Sequence, residues 1–394
     1  MKNDGYESDK NDIVVRFNGI DYNLTAQWDG TVSSYKWAPD GEKIYFTAPT
    51  QGTEQLFMVN FPGLKKKAIK VEQITNGDFD VTGIVGFFGE KNIILSRQDF
   101  NHPTEIFSYD LKKETWLPLT NVNKNIIDNL KLSKTEKKMV PTTDGKEMLV
   151  WVVYPPDYDP SQRYPTLLYC QGGPQGALTQ FYSYRWNFQL MAAQGYIVIA
   201  PNRRGMPGHG VAWNEQISKD WGGQAMQDYL SATDFFKKEP YVDGTRMAAV
   251  GASYGGYSVF QLAGIHEKRF KTFISHCGVF NLESMYGTTE EVFFTDWDLG
   301  GPYWDLKNEA AQKTYKQFNP INLVQNWTTP ILIIQGGKDY RVPIGQGQEA
   351  FQAAQLRDIP SRFIYFENEN HWILKPQNSL IWQHEFFKWL KETL

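Results

Sequence analysis

The chain of 394 residues is poor in cysteine, with only Cys170 and Cys277, each closing an apolar, strand-like run. Two such thiols read as separate buried side chains rather than a disulfide, and no ligand spacing suits a metal. Charge of one sign is equally scarce. The net charge is −4, acidic and basic residues are mixed, and the one basic cluster, "LKKKAIK" at 64–70, sits between two strand-like segments as a solvated loop would. That leaves no electrostatic footprint for nucleic acid. No apolar run approaches the roughly 18 residues of a membrane helix. The opening "MKNDGYESDKND" is too polar for a leader peptide. What is plentiful is aromatic: Phe, Trp and Tyr make up 15%, which suits β-structure and binding clefts.

Two grammars follow one another along the chain. In residues 1–135 short strands recur. "GEKIYFTA" (41–48) returns as "GEKNIILS" (89–96), "TEQLFMVNF" (53–61) as "TEIFSYDL" (104–111), and "QITN" (73–76) as "PLTN" (118–121). A period of about 40–50 residues with several strands per unit points to a β-propeller. Upstream, "SDKNDIVVRF" and "NLTA" look like the tail of one more unit. That makes about two and a half blades, where closure takes about four to eight. The expectation is an incomplete propeller, and hence a C-terminal piece of a longer chain. The alternative is an open, twisted sheet packed on the second part.

Residues 136–394 alternate apolar runs with helical segments. A hairpin turning at Asp144-Gly145 is followed by "PTLLYC", "YIVIAP", "RMAAVGA", "KTFISHC", "PILIIQG" and "RFIYFE". With the hairpin this predicts eight strands in a mostly parallel sheet covered on both faces, an α/β architecture.

"GASYGGY" places Ser253 between a predicted strand and a predicted helix, in a G-x-S-x-G frame. In that context the serine takes a strained corner, and side chains two residues either way would strike the neighbouring strand and helix. A hydroxyl needs a base, and the base needs an orienting group. In this kind of sheet the order is Ser, then Asp or Glu, then His. His371 in "ENENHWIL" follows the last strand, whereas His384 lies inside the terminal helix. Asp339 in "GGKDYRVP" follows the strand before it. Asp296, Asp298 and Asp305 are rivals in "FFTDWDLGGPYWD", a segment that reads as an irregular, pocket-lining loop. Oxyanion donors are expected from the Tyr254 N–H and from the loop Gln171-Gly172-Gly173-Pro174. This chemistry requires no cofactor.

Taken together, "QGGP", "NRRGMPGHG", "DWGG", "GASYGGY", "GGKDYRVP" and "NHW" resemble the prolyl oligopeptidase family of serine peptidases, in particular a dipeptidyl-peptidase branch of bacterial enzymes. The resemblance implies an α/β-hydrolase domain behind a β-propeller, with Ser253, Asp339 and His371 as the triad. It implies peptide substrates, cleaved as dipeptides from the N-terminus. A broader esterase or acylaminoacyl peptidase on the same scaffold is the alternative. It further implies an S1 pocket built from Val279, Leu282 and Met285, open to small or apolar P1 residues without a strict demand for proline. Where this chain has Gln171, many relatives have tyrosine or histidine; the amide or the loop backbone would then hold the oxyanion. Members are often exported, so the parent protein is expected in the periplasm or outside the cell. The residues leave the oligomeric state open, a homodimer included.

Overall fold

The computed structural model describes residues 3–63 and 69–394. The basic run at 64–68 therefore lies outside the described residues. Strands β1 (Val14–Phe17) and β2 (Ile20–Asn23) form a two-stranded antiparallel ribbon. Next come two four-stranded sheets, each antiparallel and each in chain order. One holds β3 (Ser34–Trp37), β4 (Lys43–Thr50), β5 (Thr53–Asn60) and β6 (Val71–Gln73). The other holds β7 (Asp80–Phe88), β8 (Asn92–Asp99), β9 (His102–Asp110) and β10 (Thr115–Pro118).

The repeated sequences fall on equivalent strands: the "GEK" segments enter β4 and β8, the "TE" segments β5 and β9, and the "TN" segments follow β6 and β10. Successive side chains on a strand point to opposite faces. Accordingly Ile44 and Phe46 of β4 pack with Ile13 and Leu24, whereas Tyr45 packs the other way with Phe79, Val81 and Ile93. The first four-stranded sheet is thus sandwiched between its two neighbours.

The second part is one eight-stranded sheet. Its strands are β11 (Thr135–Pro141), β12 (Glu147–Val153), β13 (Tyr164–Cys170), β14 (Ile197–Pro201), β15 (Val242–Ala252), β16 (Thr272–His276), β17 (Ile331–Gly336) and β18 (Ser361–Phe366). Their spatial order is β11-β12-β14-β13-β15-β16-β17-β18, with β12 antiparallel to both its neighbours and the rest parallel. This is an α/β-hydrolase fold. The inner strands read as largely apolar runs because both faces are covered, whereas the edge strands β11 and β18 are only partly buried. Leu168, Ile199, Ala249 and Ile333 face helices Gln224–Phe236, Tyr254–Ile265 and Gly345–Leu356. Leu167, Val198, Val250 and Leu332 face Phe188–Ala193 and Pro376–Thr393, which contribute Met191, Trp382, Phe386 and Leu390.

Polar joints tie the N-terminal sheets to this domain. Thr179 Oγ1 and the Gln180 N–H donate to Asp80 at 2.6 and 3.1 Å, and Trp151 Nε1 donates to the Gly52 carbonyl at 2.9 Å. Burial lifts the Asp80 carboxyl to about 6.

Candidate active site

β15 ends at Ala252 and a helix starts at Tyr254, leaving Ser253 alone on the corner with φ 59° and ψ −122°. A side chain at positive φ is strained, and the surroundings must hold it there. The Ser253 N–H donates to the His276 carbonyl at 2.9 Å, and the Ser253 carbonyl accepts the Tyr257 N–H at 2.9 Å. The flanking glycines permit this closeness. A Cβ at Gly251 would lie 2.6 Å from the Cys170 carbonyl oxygen, and one at Gly255 only 2.0 Å from the same atom. Gly255→Ala is therefore expected to force β13 and the helix apart. The cost should be at least about 3 kcal/mol, at or beyond the upper end of ordinary overpacking, measured by chemical unfolding.

The loop after β18 carries His371 and the loop after β17 carries Asp339. His371 Nδ1 lies 2.6 Å from Asp339 Oδ2, with both groups nearly fully buried. The other carboxylate oxygen accepts the N–H groups of Arg341 (3.1 Å) and Val342 (2.9 Å). The His371 loop is itself anchored by Glu369, which accepts from the N–H groups of Leu374 and Lys375 and from Asn378 Nδ2. Cys277 approaches the same carboxylate. Its sulfur, an Asp339 oxygen and a His371 nitrogen lie within 4.8 Å of one another. Burial and the nearby Asp339 push that thiol well above its usual pKa, so it remains a protonated neighbour.

The loop Gln171–Pro174 passes directly over the serine: a Cβ on Gly172 would sit 3.5 Å from the Ser253 Cβ. Gln171 is oriented by the Tyr169 hydroxyl, which donates to its Oε1 at 2.8 Å and leaves the amide nitrogen as the free end of the side chain. The fully buried Arg203 holds the loop from behind, donating to the carbonyls of Pro174 (2.9 Å) and Gln171 (3.3 Å). Its guanidinium also lies 4.4 Å over the Tyr254 ring. Tyr254 opens its helix, so its N–H has no intrahelical acceptor.

One cavity of about 530 Å³ gathers Ser253, Tyr254, Gln171, Gly172 and His371. Val279 and Met285 line it too, joined by Trp221 and Phe294, whose rings stack at 6.0 Å. Leu282 does not line it. It is the first residue of helix Leu282–Thr288, and that position turns its side chain into the domain core. The segment expected as an irregular loop is in part a helix, Val292–Asp298, which sends Phe294 into the cavity. The rival carboxylates are engaged elsewhere. Asp298 accepts from Gln175 and Ser218, and Asp296 from the Tyr286 hydroxyl. His384 points to solvent beside Glu385.

Two acids that no sequence motif points to, Glu7 and Glu291, also line this cavity. Glu291 pairs with Arg341 at 2.5 Å. Glu7 keeps an exposed side chain, yet partial desolvation at the cavity wall raises its pKa, Asp298 and Glu291 raise it further, and Arg341 only partly offsets them. No local pattern marks Glu7; only the fold brings it here.

Comparison with known proteins agrees with this architecture. Residues 182–394 match the prolyl oligopeptidase family. The chain is 48% identical over 398 residues to dipeptidyl-peptidase 5 of Porphyromonas gingivalis, covering all of this chain and 57% of that protein. It is 33% identical to dipeptidyl-peptidase 5 of Schizosaccharomyces pombe, over 99% of this chain and 56% of that one. The chain thus spans little more than half the length of these curated relatives. Among solved structures, acylaminoacyl peptidase of Pyrococcus horikoshii superposes with a TM-score of 0.85 at 22% identity, over 98% of this chain and 60% of that one. Dipeptidyl peptidase 4 of Porphyromonas gingivalis gives 0.79 at 20%, over 97% and 53%. With the family match covering more than half of its length, this chain belongs to the prolyl oligopeptidase family.

Proposed function

We propose that this chain carries the catalytic part of a serine peptidase that releases dipeptides from peptides with a free N-terminus. In this reading His371 Nε2 takes the Ser253 proton as the hydroxyl attacks the scissile carbonyl. Asp339 fixes the imidazole through Nδ1 and stabilises its cationic form. The Tyr254 N–H and the Gln171–Gly172 loop hold the developing oxyanion. The imidazolium then protonates the departing amine, and water releases the dipeptide from the serine ester. Val279, Met285, Trp221 and Phe294 offer the P1 side chain apolar walls, which suits small or apolar residues.

The observation that carries the dipeptidyl reading is the acidic environment of Glu7 in the cavity it shares with Ser253 and His371. Its carboxylate feels two other acids and one arginine, itself engaged by Glu291. A peptide's terminal ammonium is the complementary partner. The relatives named dipeptidyl-peptidase support the same reading. We further infer that residues 1–135 are about two and a half blades of an incomplete propeller and 136–394 the hydrolase domain. The equivalent placement of the repeats on two meander sheets supports this.

The test compares steady-state rates on a dipeptidyl amide, its N-blocked form and a simple ester. The free amine should be favoured at least about tenfold, the equivalent of about 1.4 kcal/mol. Equal rates on blocked and free substrates would favour the acylaminoacyl peptidase or esterase reading. Glu7→Gln is expected to raise KM for the free-amine substrate about tenfold or more, the scale of a charged hydrogen bond, with kcat little changed. A carboxyl with a raised pKa takes up its proton where an ordinary glutamate is still charged, and the neutral acid cannot hold an ammonium. KM for the free amine should therefore climb as pH falls through that interval, and Glu7→Gln should flatten the climb.

A further inference from the structure

We propose that His276 is the positioning residue that couples the nucleophile corner to the base loop. This rests on the assignment of Ser253 and His371 above, and goes beyond it in naming what sets their mutual position.

His276 is the last residue of β16 and pairs with Ala252 across the sheet, immediately beside the serine. Its two ends act on the two partners. The backbone carbonyl accepts the Ser253 N–H at 2.9 Å. The ring reaches the other way, with Nε2 at 3.1 Å from the His371 carbonyl oxygen. One residue thereby spans from the main chain of the nucleophile to the main chain of the base.

The tautomer follows from the neighbours. Trp382 Nε1, from the terminal helix, lies 3.1 Å from His276 Nδ1. An indole N–H only donates, so Nδ1 must accept and carries no proton. A neutral ring then has its proton on Nε2, where the His371 carbonyl waits. The charged ring is excluded, because Nδ1–H would face another N–H. Full burial and the nearby Arg185 also hold the imidazole neutral. Arg185 is the other charged group here. Its Nη1 lies 3.4 Å from His276 Nε2 and donates to the carbonyls of His371, at 3.3 Å, and Trp372. The His371 carbonyl thus has both lone pairs engaged, by His276 and by Arg185. Trp382 is itself locked, stacked on Phe386 at 5.0 Å and edge-on to Trp186 at 5.0 Å.

Asp339 fixes which way the His371 ring faces. His276 fixes where its backbone sits relative to Ser253. A small displacement of a catalytic group costs rate rather than binding.

The test measures kcat and KM on a free-amine dipeptidyl amide, thermal unfolding, and the histidine ring nitrogens by long-range proton–nitrogen correlation. His276→Leu should lower kcat on the order of 100-fold, with KM near the wild-type value. His276→Gln, which can place an amide N–H where Nε2–H was, should recover most of that loss. Trp382→Phe keeps the bulk and removes the indole donor. It frees Nδ1 while the His371 carbonyl still holds the proton on Nε2, so the ring loses one of its two anchors and kcat should fall with KM near the wild-type value. If the leucine variant does not fold, Trp382→Phe decides by that split between kcat and KM. The proposal is overturned if His276→Leu keeps its rate, if its loss lies in KM, or if glutamine is no better than leucine. It is equally overturned if the wild-type ring carries its proton on Nδ1. A wild-type chain with neither turnover nor fluorophosphonate labelling would instead sink the catalytic reading, and this proposal with it.

Discussion

Replacing Ser253 by alanine is expected to lower kcat by about a millionfold, the cost of removing the nucleophile from a working triad. Fluorophosphonate labelling should vanish in the same variant. The expectation is sharp because the substitution is otherwise quiet. Ser253 sits at φ 59°, a conformation alanine must share at similar strain, and the hydrogen bonds that hold the corner are made by its backbone. Unfolding should therefore change little while turnover disappears. Labelling of Ser253→Ala at the wild-type rate would show that another nucleophile is being read. Retained turnover would mean that the corner is only a corner. A residual rate above the uncatalysed reaction is not a contradiction: the Tyr254 N–H and the Gln171–Gly172 loop would still polarise a bound carbonyl.

The inner strands were legible in the sequence because burial on both faces makes each a short, largely apolar run, as in "PILIIQG", while the partly buried edge strand β11 was legible through its hairpin turn at Asp144-Gly145. The corner was legible because glycine is demanded at fixed positions, where an added Cβ would fall as close as 2.0 Å to a backbone carbonyl oxygen. Asp339 and His371 could be named because the strand order allows few loops over the serine. Where sequence reasoning fell short, the cause is distance along the chain. Leu282 looked like a pocket residue, but the turn of a short helix aims it at the core. "VFFTDWD" has no clear helical period, since its aromatic residues serve the cavity, solvent and the N-terminal segment at once; Trp297, for one, donates to the Asp4 carbonyl. His276 depends on Trp382, 106 residues away, and Glu7 meets Glu291 only after folding. Local patterns specify elements and tight turns; partners chosen across the fold leave no mark of their own.

Asp339→Asn is expected to lower kcat on the order of 10⁴-fold while leaving the fold intact, and the reason is the direction of one proton. In the native chain Asp339 Oδ1 accepts two backbone N–H groups, from Arg341 and Val342. An asparagine must therefore turn its carbonyl oxygen toward those donors. Its NH₂ is then left facing His371 Nδ1, where Oδ2 now lies at 2.6 Å. An amide nitrogen there donates, so Nδ1 becomes the acceptor and the imidazole carries its proton on Nε2. That nitrogen is the one that must accept the Ser253 proton, so the base is present, correctly placed and in the wrong tautomer. Three measurements separate this from simple loss of charge. KM should be nearly unchanged, fluorophosphonate labelling should slow along with kcat, and nitrogen spectroscopy should find the His371 proton moved from Nδ1 to Nε2. A loss of kcat with the proton still on Nδ1 would mean that Asp339 acts through its charge alone. A variant with unchanged kcat would remove Asp339 from the triad and return the choice of acid to the loops around the cavity.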